Sequence, residues 1–129
     1  VETLSGNKGL TLVLALSYSG RWEITDAVKK MMADAASGKL DPDRVDSDLL
    51  ESYLATSFMP DPELLIRTSG ERRISNFLLW QLAYTELYFT PVLWPDYDKE
   101  HFYESIIDFQ RRERRFGKLS KKSGALLNS

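Results

Sequence analysis

The sequence contains no cysteine and a single histidine, His101. Disulfides and thiolate metal sites are therefore excluded, and a Ser-His triad or a multi-histidine zinc site has almost no material. No apolar run approaches the roughly 20 residues that a bilayer-spanning helix needs. The longest, Leu10-Thr-Leu-Val-Leu-Ala-Leu16, is strand-sized. Charge of neither sign dominates: 17 basic against 19 acidic side chains leave a net charge of −2, which gives no general electrostatic case for nucleic acid. The first residues carry Glu2, Asn7 and Lys8 and no apolar stretch of the signal-peptide kind. A cytoplasmic protein is expected. The chain opens on Val1 and not on methionine, so a processed or cut product is expected too.

What is present is ordinary globular material. Hydrophobic residues make up 43% and charged residues 28% of 129 positions, enough for one domain with a core. The segment Leu10–Leu16 reads as a strand covered on both faces. From Trp22 the apolar positions Ile24, Ala27, Val28, Met31, Met32 and Ala35 recur at helical spacing until Gly38 stops them. Asp46 or Ser47 caps a short helix to about Leu54, and Leu64-Leu-Ile66 is a second strand candidate. Asn76–Tyr84 reads as a short buried helix, and Glu86–Phe89 as a third strand. Asp98 caps a last helix from about Lys99 to Arg115, striped by Phe102, Ile106, Phe109 and Phe116. Such alternation predicts an α/β fold with a parallel sheet flanked by helices. Three strands are few, so the sheet is expected to be incomplete, with strands missing upstream. One domain spans 1–119, followed by a flexible tail at 120–129.

The chemistry concentrates in Arg67-Thr-Ser-Gly-Glu-Arg-Arg-Ile-Ser-Asn76, directly after a strand. Arg67 and Arg73 offer forked donors that suit phosphate oxygens, and Ser75 adds a hydroxyl. Gly70 permits a tight turn, and Ser75 or Asn76 precedes the expected helix, whose N-terminus favours an anion. A solvated turn with surface ion pairs is the alternative for the loop alone. Glu86 makes sense as a carboxylate returning toward the loop if Mg²⁺ bridges it to phosphate; otherwise it is an exposed strand-end residue. Asn76 is either a group orienting the site or a helix cap. Tyr18 and Arg21 follow the first strand and are read as structural, and His101 as a surface residue. Trp80, Tyr84, Leu87, Tyr88, Phe89 and Trp94 form an apolar block read as core or dimer interface. Arg111, Arg112, Arg114 and Arg115 complement a helix C-terminus.

The run Ile66–Tyr97 resembles the signature of cis-prenyltransferases of the undecaprenyl diphosphate synthase type. The likeness extends to Gly9-Leu-Thr-Leu, to Tyr18-Ser-Gly-Arg-Trp-Glu-Ile24 and to Arg112-Glu-Arg-Arg-Phe-Gly117. The resemblance implies an enzyme that adds isopentenyl diphosphate repeatedly to an allylic diphosphate such as farnesyl diphosphate, with Mg²⁺. The product would be a long-chain polyprenyl diphosphate lipid carrier for cell-wall synthesis, with peripheral membrane contact through that product. It implies that Arg67, Arg73, Ser75 and Asn76 bind substrate and that Glu86 helps hold Mg²⁺. It also implies a homodimer in which Arg115 and Gly117, matching an Arg-X-Gly motif, reach the partner's site. Arg72 stands where some members have a histidine, so that metal role does not transfer. The family's N-terminal aspartate motif has no counterpart in Val1–Asn7, so the resemblance implies that the N-terminal half is absent and that this polypeptide alone is inactive. The alternative is a non-catalytic accessory subunit, against which the retained Arg67, Arg73, Ser75 and Glu86 argue.

Overall fold

The computed structural model describes residues 6 and 9–112. The Arg115-Phe-Gly117 motif, the Phe116 position of the last stripe and the tail at 120–129 lie outside the described residues. Two compact units divide the chain, Val1–Leu54 and Ala55–Ser129.

In the first unit, α1 spans Gly20–Ala36. Ser19 caps it, its hydroxyl accepting from the Trp22 N–H at 3.4 Å. Gly20, Glu23, Ala27 and Met31 are buried along one face, the three-to-four spacing expected of a helix. Trp22, Val28 and Met32, assigned to the apolar face from sequence, remain exposed. Gly38 follows at φ +75°, a backbone conformation that ends helices. The second helix, α2, covers Ser47–Tyr53 and is capped by Asp46, which accepts from the Leu49 N–H at 2.8 Å. Tyr53 donates to Asp34 at 2.8 Å and ties α2 to α1.

The expected first strand is not formed. Leu10, Leu12, Leu14 and Leu16 are at least 72% exposed, and no strand is assigned between them. A strand exists only through a hydrogen-bonded neighbour, and among the described residues this run has none assigned. Apolar content gave the segment its propensity; the missing ladder decides its state.

The second unit is built on β1, Leu64–Arg67, paired in parallel with β2, Glu86–Phe89. The register sets Leu64 against Glu86 and Arg67 against Phe89. Parallel strands need a crossover, which residues 68–85 supply. The helix expected over Asn76–Tyr84 is replaced there by a succession of turns. Ser75, Asn76 and Leu78 take φ values of +49°, +63° and +45°, which an α-helix cannot contain. Tertiary bonds override the local preference: Gln81 donates to Thr56 at 2.7 Å, and Thr85 to the Pro62 carbonyl at 2.7 Å. Leu78, Gln81 and Leu82 are buried as a result.

Helix α3, Lys99–Arg111, packs against β2. Asp98 and His101 close its start as a reciprocal capping box, so His101 has a structural task at the helix entrance. Ser105 is fully buried and accepts from Tyr97 at 3.2 Å. Of the supposed apolar block, Tyr84 is 83% and Trp94 70% exposed, so these two are not core in this chain.

Candidate functional site

Arg67 is the last residue of β1, and the polar loop begins at the carboxyl end of the strand pair, the end at which open α/β sheets bind ligands. Ser69 and Gly70 take φ values of +68° and +73° and turn the chain sharply. Their N–H groups donate to the Val92 carbonyl at 2.7 Å and the Thr90 carbonyl at 2.9 Å, pinning the loop to the segment after β2. The turn at Gly70 is as expected. Its backbone donors, however, are consumed by this pinning and do not face an anion. With no helix after Ser75, the expected helix N-terminus is also absent there.

The side chains converge instead. One guanidinium nitrogen of Arg67, Nη1, donates to Ser75 Oγ at 3.0 Å and also to the Arg73 carbonyl. The other, Nη2, lies 4.0 Å from Glu71 Oε2, and the same oxygen is ion-paired with Arg73 Nη1. Arg67, Arg73 and Ser75 therefore form one cluster, organised around a carboxylate that the sequence had not singled out. Asn76 is half-buried beside Ser75 with its backbone left-handed. Arg72 is exposed.

Glu86 is placed elsewhere. It opens β2, three register steps from the residue opposite Arg67, or roughly 10 Å along the strand. Its Oε2 accepts from Arg112 Nη1 at 2.9 Å. Arg112 also meets Asp108 at 2.8 Å and 2.5 Å and the Leu87 carbonyl at 2.9 Å. The Arg112 guanidinium is pushed further up by its bond to Glu86, an effect that burial partly offsets. Among the described residues no group of three or more His, Asp or Glu side chains converges as a metal site. Mg²⁺ can use one carboxylate together with phosphate oxygens, and in this chain the Glu86 carboxylate is engaged by Arg112. Sequence reasoning gave Arg112 a helix-end charge and a place in the Arg112–Gly117 likeness, but no partner in β2. Its spacing of four from Asp108 was the available signal.

In the other unit, Tyr18 donates to the buried Glu23 carboxylate, which supports the structural reading of Tyr18. Arg21 is exposed on α1.

The model of the undecaprenyl diphosphate synthase family matches residues 1–117. The chain belongs to that family. It is 53% identical over 121 residues to an isoprenyl transferase of Chlorobaculum tepidum, covering 94% of this chain and 46% of that protein. With an isoprenyl transferase of Geobacillus kaustophilus the identity is 57% over 120 residues, covering 93% and 47%. Among solved structures, a lavandulyl diphosphate synthase from Lavandula x intermedia in complex with dimethylallyl diphosphate superposes with a TM-score of 0.84 at 42% identity. It matches 88% of this chain and 49% of its own. A probable undecaprenyl diphosphate synthase from Campylobacter jejuni gives 0.73 at 36%, matching 91% and 52%. The chain thus spans about half the length of these prenyltransferase relatives. No helix among the described residues is long and apolar enough to cross a membrane.

Proposed function

We propose that this chain supplies the diphosphate-binding half-site of a cis-prenyltransferase that condenses isopentenyl diphosphate onto an allylic diphosphate, such as farnesyl diphosphate. The product is a long-chain polyprenyl diphosphate carrier. The observation that carries the proposal is the convergence of Arg67, Arg73 and Ser75 at the carboxyl end of β1. Two guanidinium forks and a hydroxyl match the oxygens of a diphosphate, and charge-assisted bonds give both orientation and affinity. Their physical role is to hold one diphosphate still while the allylic partner ionises, which lowers the entropic barrier of the condensation. Mg²⁺ belongs to the proposal as a companion of the diphosphate, and Glu86 is held by Arg112 in this chain. The homodimer completed by Arg115 and Gly117 belongs to it as well.

The test is a calorimetric titration of isopentenyl diphosphate into the protein expressed from its complete gene. Replacing Arg67→Met should weaken binding at least tenfold, as expected for loss of a charge-assisted pair. Undiminished binding in this variant rejects the proposal. Radiolabel incorporation from isopentenyl and farnesyl diphosphates should occur with that protein and not with the 129-residue chain alone. An accessory subunit would show neither binding nor turnover.

A further inference from the structure

Glu71 is the feature of the anion loop that diphosphate binding does not require. Its Oε2 is ion-paired with Arg73 and lies 4.0 Å from Arg67 Nη2, so one carboxylate oxygen stands between the two guanidinium groups. A carboxylate presents to guanidinium the same planar pair of acceptor oxygens as two oxygens of a phosphate. We propose that Glu71 is an internal stand-in for the diphosphate: it holds the two arginines together and is displaced when substrate binds. This inference rests on the diphosphate-binding reading of the same loop.

The surroundings divide fixed parts from movable ones. The Arg67 side chain is only 26% exposed and is braced by Ser75 Oγ and by the Arg73 carbonyl. Arg73 is 69% exposed and Glu71 40%, so both can rotate into solvent without unpacking anything. The backbone just before Glu71 is pinned through Ser69 to Val92 and Gly70 to Thr90. Exchange of carboxylate for diphosphate is therefore a side-chain event on a fixed frame. Without Glu71, the two cations would face each other with no anion between them, and their repulsion would splay the exposed Arg73. With it, the forks stay together, but an incoming anion must first break the pair, which lowers its apparent affinity. The Arg112 cluster behaves differently, because its carboxylates come from β2 and α3 and serve to join those elements.

The experiment is a pyrophosphate titration at fixed ionic strength, using the protein from its complete gene and its Glu71→Gln variant. Removing the internal competitor should lower the dissociation constant about two- to fivefold, the range expected for a largely exposed ion pair. A crystal structure of the unmodified protein with pyrophosphate should show Arg73 turned from Glu71 onto the anion. An unchanged or raised dissociation constant in Glu71→Gln, with binding intact in the unmodified protein, overturns the stand-in role and leaves the diphosphate reading in place. So does a complex in which Arg73 stays on Glu71. If neither protein binds pyrophosphate, the diphosphate reading fails and this inference with it.

Discussion

Gly70 carries the turn that aims the loop, with φ at +73° and a bond from its N–H to Thr90. A methyl group there would meet only Pro91 Cα at 4.0 Å, so space is not the obstacle. The obstacle is the left-handed backbone, and Gly70→Ala should destabilise the protein by about 1 kcal/mol in urea unfolding. Arg67→Lys keeps the charge and loses the planar group whose Nη1 bonds Ser75 and the Arg73 carbonyl while Nη2 faces Glu71; pyrophosphate affinity should fall about tenfold in calorimetry. At this scale Arg67, Arg73 and Ser75 were legible in the sequence because they lie within nine residues of one loop and converge through local closure. Glu71 was not, because which acid in an Arg-rich turn sits between which arginines depends on rotamers that the residue order does not fix.

Helix α3 shows how one element is anchored at both ends. At its start, the Asp98 carboxyl is held below the usual aspartate range, chiefly by the His101 backbone N–H, with the His101 ring and the Glu100 N–H adding to it. A depressed folded-state pKa means that the stabilisation is present above the ordinary aspartate value and is lost as pH falls through the folded one. The melting temperature of the protein should therefore exceed that of Asp98→Asn at neutral pH, and the gap should close as the pH falls below the ordinary aspartate range. At its end, Arg112 joins Asp108 of the helix to Glu86 of β2. A double-mutant cycle of Arg112→Met and Glu86→Gln should give a coupling energy on the order of 1 kcal/mol in urea unfolding. Additive effects would show the pair to be idle. The Asp98 cap was readable from the turn before an amphipathic stripe, and Leu64–Ile66 was readable as a strand, one residue short of the β1 that forms. The supposed helix at Asn76–Tyr84 was misread because the segment is almost wholly apolar, while the bonds that shape it run from Gln81 and Thr85 to Thr56 and Pro62, far back in the chain.

For the molecule as a whole, the main feature is apolar surface left uncovered. Leu10, Leu12, Leu14 and Leu16 face solvent in the first unit, and Tyr84 and Trp94 in the second. Contiguous exposed apolar side chains mark surfaces that bind something or associate. The 129-residue chain should bind a hydrophobic fluorescent dye, and Leu12→Glu with Leu14→Glu should reduce that signal by about half. An unaltered signal would mean that the run is covered in solution.

Residue order by itself determined the family, the α/β class and the grouping of Arg67, Arg73 and Ser75 in one loop, since these depend on local spacing and on a long motif read as a string. Tertiary structure decided what depends on distant partners. It left Leu10–Leu16 without a ladder, broke the helix after Ser75, drew Glu86 to Arg112 and set Glu71 between the arginines. A strand, a carboxylate or a cation takes its role from what lies across from it, and only the folded chain specifies that.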